Sequence, residues 1–303
     1  MLYRSITATA ALALAASTSS LAVDIPRAIA QDLTQFEAQA LIPEPIDSDY
    51  LDLSSALVLA FGSTNVTTGQ RFEFPADTSA LATAPTFQLD VPASMASQYA
   101  AMNFTAMIVD PGAYGQTMGG SNVTRHYLAN DLRLSNGRLT NSTPAITSYA
   151  EPGPAAGTGA HRYMALVFAQ ESGFEAPDGF TTQMGVSTME LADYVDDADN
   201  LGHIVAMTYI MVENTADGTA TVSSSTAVPS SSVAAAESSI ASSLSLSTSM
   251  TSAASGASSS AAGASSTAAS SGAVGAAAAF GGKSAVMAAV LGMASVAVGA
   301  WAL

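Results

Sequence analysis

Short apolar runs separated by turn residues dominate the middle of the chain and predict β-strands. The run at 163–168 is continuously apolar, as in a strand buried on both faces, whereas residues 102–109 place apolar side chains on one face by alternation. The predicted strands lie at 57–61, 71–74, 102–109, 126–129, 163–168 and 204–212. Many strands, few helices and no internal repeat predict a mainly β single domain, which we place at 45–215.

One helix is predicted within this domain, at 187–197. Met189, Leu191 and Val195 can share its apolar face. Ser187 is a suitable N-cap residue, and Glu190 three positions later completes the pattern of a capping box. The acidic residues that follow are expected to form the solvated end of the helix.

Residues 1–22 have the pattern of a secretory signal peptide. A basic start precedes an apolar run at 6–16, and small residues end at Ala22. The apolar run is too short to cross a bilayer, which requires about 20 residues. We therefore expect cleavage after Ala22, with Ala30 as the alternative, and an N-terminal extension at 23–44 outside the domain.

The C-terminal region 276–303 has the pattern of a GPI-attachment signal. An uncharged apolar tail at 285–303 follows a short spacer, and small residues precede that spacer. Attachment is predicted at Ser271 or Gly272, with removal of the tail. The alternative is a C-terminal transmembrane helix, because about 19 apolar residues just span a bilayer.

Residues 216–275, between the domain and the tail, consist almost entirely of Ser, Ala, Thr and Gly. Such a composition offers too little bulky apolar surface to offset the entropy of ordering the chain. We predict a disordered stalk whose dense hydroxyl groups carry O-linked sugars.

The overall composition excludes several classes of function. Without cysteine, the chain has no disulfide, no thiol nucleophile and no cysteine-based metal site. The net charge of −16, from 24 acidic and 8 basic residues, argues against binding to nucleic acid and against broad docking onto anionic membranes. Neither a Gly-x-Ser-x-Gly motif nor a recognised metal-ligand spacing is present. We expect a monomeric binding protein without cofactor or metal rather than an enzyme.

Four Asn-x-Ser/Thr sequons fall inside the predicted domain, at Asn65, Asn103, Asn122 and Asn141. Glycosylation at these positions would mark the surface of an exported module. Asn103 is the weakest of the four because it lies in a predicted strand.

Two segments carry a longer and more specific pattern. The first is Met-Ile-Val-Asp-Pro-Gly-Ala at 107–113, followed after a loop by Arg-His-Tyr-Leu at 125–128. The second is Glu-Pro-Gly-Pro-Ala-Ala-Gly-Thr-Gly-Ala-His-Arg-Tyr at 151–163. Together they resemble the two signatures of the phosphatidylethanolamine-binding protein family. Flanking segments at 57–69 and 200–209 resemble its early and closing strands in the same order.

This resemblance implies a β-sandwich-like fold with a few peripheral helices and a shallow pocket for phosphate-type anions. The pocket residues that it implies are Asp110, His126, His161 and Tyr163, with the backbone of Gly153 and Pro154 at the rim. Histidine and tyrosine donate hydrogen bonds to anionic oxygens, and a carboxylate can orient an imidazole. His161 and Tyr163 share one face of a strand, so Arg162 faces the other way and is expected to serve the structure.

The chain departs from the family pattern at three positions. Gly112 stands where the family usually has a second acid, Tyr114 where it has proline, and Tyr127 where many relatives have tryptophan. The missing carboxylate removes a repulsive charge, which would favour a more anionic ligand.

Three functional hypotheses follow from the resemblance. The leading one is a secreted, cell-surface protein that holds a phospholipid headgroup or a similar phosphate or carboxylate, attached to the membrane through its GPI anchor. Relatives that inhibit a serine carboxypeptidase suggest a protein-binding role instead. Exported fungal relatives suggest a third role, as an accessory protein of a polyketide pathway that assists maleic-anhydride coupling.

Overall fold

The computed structural model describes residues 23–141, 143–216 and 227–257. The predicted signal peptide, the attachment position at Ser271 or Gly272 and the apolar tail all lie outside these residues. Within the described ranges, no helix combines the length and the apolarity that a membrane span requires.

Strands are the commonest regular structure in the described domain. They are β1 (Ala56–Phe61), β2 (Thr64–Asn65), β3 (Gln70–Phe74), β4 (Thr86–Asp90), β5 (Asn103–Asp110), β6 (Gly112–Ala113), β7 (Gln116–Thr117), β8 (Asn122–Ser135), β9 (Arg138–Thr140), β10 (Ala160–Glu175), β11 (Ser187–Glu190) and β12 (Asp199–Asn214). The helices are α1 (Ile25–Ala38), α2 (Thr78–Leu81), α3 (Ala96–Ala101), α4 (Leu191–Asp197) and α5 (Ser230–Ala257). The prediction of a mainly β single domain with a few helices is confirmed.

The strands form one curled sheet in the order β2-β1-β4-β9-β8-β5-β10-β12-β3. Pairing is antiparallel except between β12 and β3, which run parallel. Apolar residues of β1, β3 and β4 face those of β5, β8, β10 and β12 inside the curl and form one core. The other face of the central strands forms a second core. Strand β10 contributes to both, as its continuously apolar sequence predicts.

Helix α1 covers the second core, so the domain begins earlier than the predicted boundary at residue 45. Ile29, Leu33 and Phe36 are buried, and the Phe36 ring meets the edge of Tyr209 with ring centroids 5.3 Å apart. These three positions follow helical spacing and form one apolar face. The segment 23–44 is therefore part of the folded domain and not an extension outside it.

Helix α5 corrects the prediction that 216–275 is disordered throughout. Val233, Ala236, Ile240 and Leu244 recur at helical spacing and belong to the core that α1 covers. Arg27 of α1 lies 4.0 Å from Glu237 of α5. The average composition of the segment did not indicate this apolar face. A few apolar residues on one face are enough to stabilise a helix when another helix buries them.

The helix predicted at 187–197 begins four residues later than predicted, at Leu191. The first four residues of the predicted segment form β11, which pairs antiparallel with β8 from Ser187–Arg125 to Glu190–Asn122. Only α4 is helical, with Leu191 and Tyr194 buried. The capping box does not form, since pairing with β8 occupies the backbone that the cap would have used.

The sequons lie in different environments within the described structure. Asn65 and Asn141 are exposed, whereas Asn122 is partly exposed at the start of β8. Asn103 begins β5 and is followed by the fully buried Phe104 and Thr105. Glycosylation stays a prediction at all four, and the burial of its neighbours makes Asn103 the poorest acceptor.

Replacing Ile240 by alanine is expected to loosen α5 from α1. Ile240 is 4% exposed, and truncation of a buried isoleucine costs about 2 kcal/mol at the low end of its range. Hydrogen exchange of α5 amides should then accelerate by about 30-fold, since about 1.4 kcal/mol corresponds to a factor of ten. The matched control is the exposed Ser238→Ala in the same helix. Equal protection in both variants would contradict the docking of α5.

Candidate functional site

The site lies where β5, β8 and β10 meet at one end of the sheet. Strand β5 ends at Asp110, and the pairing of Met164 with Val109 and of His161 with Ala113 brings the start of β10 beside it. In β8, Tyr127 pairs with Ile108 and Arg125 with Val109, so His126 is the extra residue of a bulge. Bulges re-aim a side chain relative to its sheet, and here the bulge carries His126.

The Asp110 carboxylate is the centre of the site and is almost fully buried. One of its oxygens, Oδ2, lies 2.7 Å from His161 Nδ1, and Oδ1 accepts from the Gly112 backbone N–H at 2.7 Å. The Tyr163 hydroxyl also donates to this carboxylate, while the Gly153 N–H donates to the Tyr163 oxygen. These contacts hold Asp110, His161 and Tyr163 in one rigid cluster.

Tyr163 acts in this cluster as a neutral hydrogen-bond donor. Burial raises the pKa of its phenol, and the negative charge of Asp110 raises it further. The ring is 2% exposed and lies between the two histidines, with centroids 5.1 Å from His126 and 6.4 Å from His161. Tyr163 thus connects the residues of three strands.

His126 differs from the other site residues in having a ring nitrogen available. Its Nδ1 lies 3.1 Å from the carbonyl oxygen of Ala150, which can only accept, so Nδ1 carries the proton. Burial lowers the pKa of this histidine, although the Ala150 hydrogen bond and the Asp110 charge oppose that effect. Within the described residues, Nε2 has no hydrogen-bond partner, so its lone pair is free.

Thr158 belongs to the site, although the sequence did not single it out. Its hydroxyl oxygen lies 2.9 Å from His161 Nε2 and 2.7 Å from the carbonyl oxygen of Ala155. His161 therefore has a partner on each ring nitrogen, Asp110 on one side and Thr158 on the other. Its place between two glycines in the family-like segment 151–163 was the sequence signal for it.

Arg162 lies on the opposite face of β10 and supports the site from behind, as expected. It is fully buried and donates to the carbonyl oxygens of Gly112 at 3.0 Å and Ala113 at 3.2 Å. Its third acceptor is the carbonyl oxygen of Gln39, at 2.6 Å, just beyond α1. The N-terminal segment therefore contributes directly to the shape of the hairpin that follows Asp110, which the sequence did not indicate.

A family model described as phosphatidylethanolamine-binding protein matches residues 62–210. The chain carries a phosphatidylethanolamine-binding protein domain. No curated protein matches the chain.

Solved structures are similar to this phosphatidylethanolamine-binding protein domain at low sequence identity. A carboxypeptidase Y inhibitor in complex with its cognate proteinase is 21% identical, covers 61% of this chain and 95% of its own, and gives a TM-score of 0.47. The phosphatidylethanolamine-binding protein of Plasmodium vivax is 13% identical over 59% of this chain and 96% of its own, with a TM-score of 0.42. That of Plasmodium falciparum is 15% identical over 60% and 96%, with a TM-score of 0.40.

The remaining residues of the two motifs have structural positions that explain their sequence. The Pro154 carbonyl oxygen accepts from Asn214 Nδ2 at 2.8 Å, which ties the loop to the end of β12. Gly112 has a φ of 97°, a conformation that favours glycine over the acid usual in this family. Tyr114 is exposed, and its ring centroid lies 6.0 Å from the Arg162 guanidinium carbon. Restoring an acid at position 112 would strain this backbone.

Proposed function

We propose that this domain binds a small anionic ligand, a phosphate or carboxylate such as that of a phospholipid headgroup, and that the chain carries it at the cell surface. The observation that carries the proposal is the free Nε2 of His126 beside the Asp110, His161 and Tyr163 cluster. In the cluster, donors already surround the Asp110 carboxylate, which reduces its repulsion of an incoming anion. The backbone of the glycine-rich loop lets a ligand approach closely.

The protonation state of His126 determines how an anion would bind. A neutral imidazole with its proton on Nδ1 presents only a lone pair at Nε2. An anionic oxygen favours the protonated ring, whose Nε2–H then donates to it. Binding should therefore take up a proton, and the pKa of His126 should be higher in the complex than in the free protein.

The affinity is expected to fall as the pH rises. Between the pKa of free His126, which burial lowers, and its higher pKa in the complex, the dissociation constant should increase by up to about tenfold per pH unit. Calorimetry of the full chain with glycerophosphoethanolamine tests this, because its phosphodiester does not titrate near neutral pH. His126→Gln should bind more weakly and lose the pH dependence, whereas His203→Gln, at an exposed position, should behave as the wild type.

The same titration with inorganic phosphate and succinate distinguishes the ligand classes. Tighter binding of glycerophosphoethanolamine supports a lipid headgroup, and tighter binding of succinate supports a dicarboxylate. A folded sample that binds none of the three would contradict the proposal. Equal affinity of the His126→Gln variant and the wild type at every pH would show that anions bind elsewhere.

A further inference from the structure

A continuous chain of hydrogen bonds links a hydroxyl, an imidazole and a carboxylate in this site. Thr158 Oγ1 lies 2.9 Å from His161 Nε2, and His161 Nδ1 lies 2.7 Å from Asp110 Oδ2. The imidazole uses one nitrogen for each neighbour, which is the order of nucleophile, base and orienting acid found in acyl-transfer sites. Asp110 is fixed in turn by the Gly112 N–H at 2.7 Å, so the imidazole orientation is set.

The loop around Thr158 leaves its hydroxyl accessible. Thr158 is half-buried and lies between Gly157 and Gly159, whose φ values of 76° and 87° require glycine at both positions. No side chain on either neighbour obstructs a carbonyl group that approaches the hydroxyl. A small substrate can therefore reach the threonine from solvent.

The hydroxyl proton has two possible acceptors in the resting site. Ala155 O lies 2.7 Å from Thr158 Oγ1, and His161 Nε2 lies 2.9 Å from it. When the imidazole is protonated, Nε2 donates to Thr158 and the hydroxyl donates to Ala155. When the imidazole is neutral with its proton on Nδ1, Nε2 can accept the hydroxyl proton. The neutral imidazole is thus the form that activates the threonine.

We propose that Thr158 is the nucleophile of an esterase activity toward small carboxylic esters, with His161 as general base and Asp110 as a positioning residue. Thr158 Oγ1 forms a bond to the ester carbonyl carbon while its proton moves to His161 Nε2. The bond from that carbon to the alcohol oxygen then breaks, and the leaving alkoxide takes the proton from Nε2. Water attacks the acyl-threonine with the same base, which releases the carboxylic acid and restores the hydroxyl.

This activity requires the hydrogen-bonded chain of Thr158, His161 and Asp110 and does not require anion binding at His126. Ester turnover and anion binding can therefore fail separately. The sequence favoured a binding protein over an enzyme because neither a Gly-x-Ser-x-Gly motif nor a recognised metal-ligand spacing is present. The hydrogen-bonded chain becomes visible only when Asp110 and His161, far apart in the sequence, are brought together.

The test uses the full chain with p-nitrophenyl acetate and follows release of p-nitrophenol. Thr158→Val removes the hydroxyl at nearly constant shape, and Thr158→Ser keeps it. We expect the valine variant to lose about 10²- to 10⁴-fold in kcat/KM, the usual contribution of a positioned base and nucleophile, and the serine variant to retain activity. Turnover by Thr158→Val at the wild-type rate would overturn the proposal.

Trapping the acyl intermediate keeps the proposal testable if a variant does not fold. Wild-type protein quenched in acid during turnover should carry one acetyl group on the peptide that contains Thr158, as seen by mass spectrometry. His161→Gln should lower this acetylation together with turnover, by a similar factor. An acetyl group found only on other residues, or turnover without any acetyl-threonine, would overturn the assignment.

Discussion

Replacement of Arg162 by methionine should destabilise the domain more than any other single change in the site. Arg162 is 0% exposed and donates to the carbonyl oxygens of Gly112, Ala113 and Gln39. Methionine fills a similar volume but leaves these acceptors without a donor, and each unsatisfied buried group costs about 1–3 kcal/mol. We expect the free energy of unfolding to fall by at least about 3 kcal/mol, a large share of the stability of a single domain.

Urea denaturation of both proteins measures this loss. Arg133→Met is the matched control because Arg133 is exposed on β8, and its effect should stay within about 0.5 kcal/mol. Arg162→Lys should recover only part of the stability, since a lysine cannot reach three acceptors with a planar fork. A loss below about 1 kcal/mol for Arg162→Met would show that the hairpin after Asp110 does not depend on this guanidinium.

The second large effect is expected from Asp32→Asn in α1, and it depends on pH. Asp32 is 5% exposed, accepts a hydrogen bond from the Thr68 hydroxyl and interacts with Thr208. Burial raises its pKa from 3.8 to about 8, although both hydroxyl groups oppose the shift. The side chain is therefore a neutral carboxylic acid over most of the physiological range in the folded protein and a carboxylate in the unfolded chain.

The sign of the effect follows from proton linkage. The folded state binds the Asp32 proton more tightly than the unfolded state, so the contribution of Asp32 is fully present below a pH near 4 and is lost as the pH rises to about 8. The shift is about four pKa units at about 1.4 kcal/mol each, which sets an upper limit of about 6 kcal/mol. Asparagine keeps the hydrogen-bonding capacity and cannot ionise.

The free energies of unfolding of wild type and Asp32→Asn, measured near pH 5 and near pH 9, test this effect. Asp32→Asn should be more stable than the wild type by only about 1–2 kcal/mol at the lower pH and by several kcal/mol at the higher pH, because it avoids a buried charge. Asp178→Asn, at an exposed loop position, is the control and should show no such gain. Parallel pH profiles for wild type and Asp32→Asn would contradict the buried neutral acid.

The central strands, and the residues proposed for the site, could be located from the sequence because their signals are local and specific. The apolar run at 163–168 defined the middle of β10, and the motif at 151–163 located His161 and Tyr163 on one face of it. Asp110, at the end of β5, was indicated by the resemblance of 107–113 to the family's first signature. Alternation along a strand determines which side chains share a face, so these positions could be predicted without knowing any contacts between distant segments.

The parts that were missed depend on contacts between distant segments. Helix α5 has a composition typical of disorder, and only burial against α1 makes its apolar stripe sufficient for folding. The hydrogen bond from Arg162 to the Gln39 carbonyl oxygen joins residues far apart in the chain, and no local sequence pattern indicates it. The start of α4 was misplaced because pairing with β8 overrode the local capping pattern.

The most direct test of anion binding at this site is an NMR titration of the histidine ring protons with glycerophosphoethanolamine. The chain contains 3 histidines, His126, His161 and His203, so single His→Gln variants assign every signal. The signals of His126 and His161 should shift saturably, and that of His126 should move toward the protonated form, while His203 stays unchanged as an internal control. Shifts of all signals in parallel without saturation, or no shift of His126, would contradict the account.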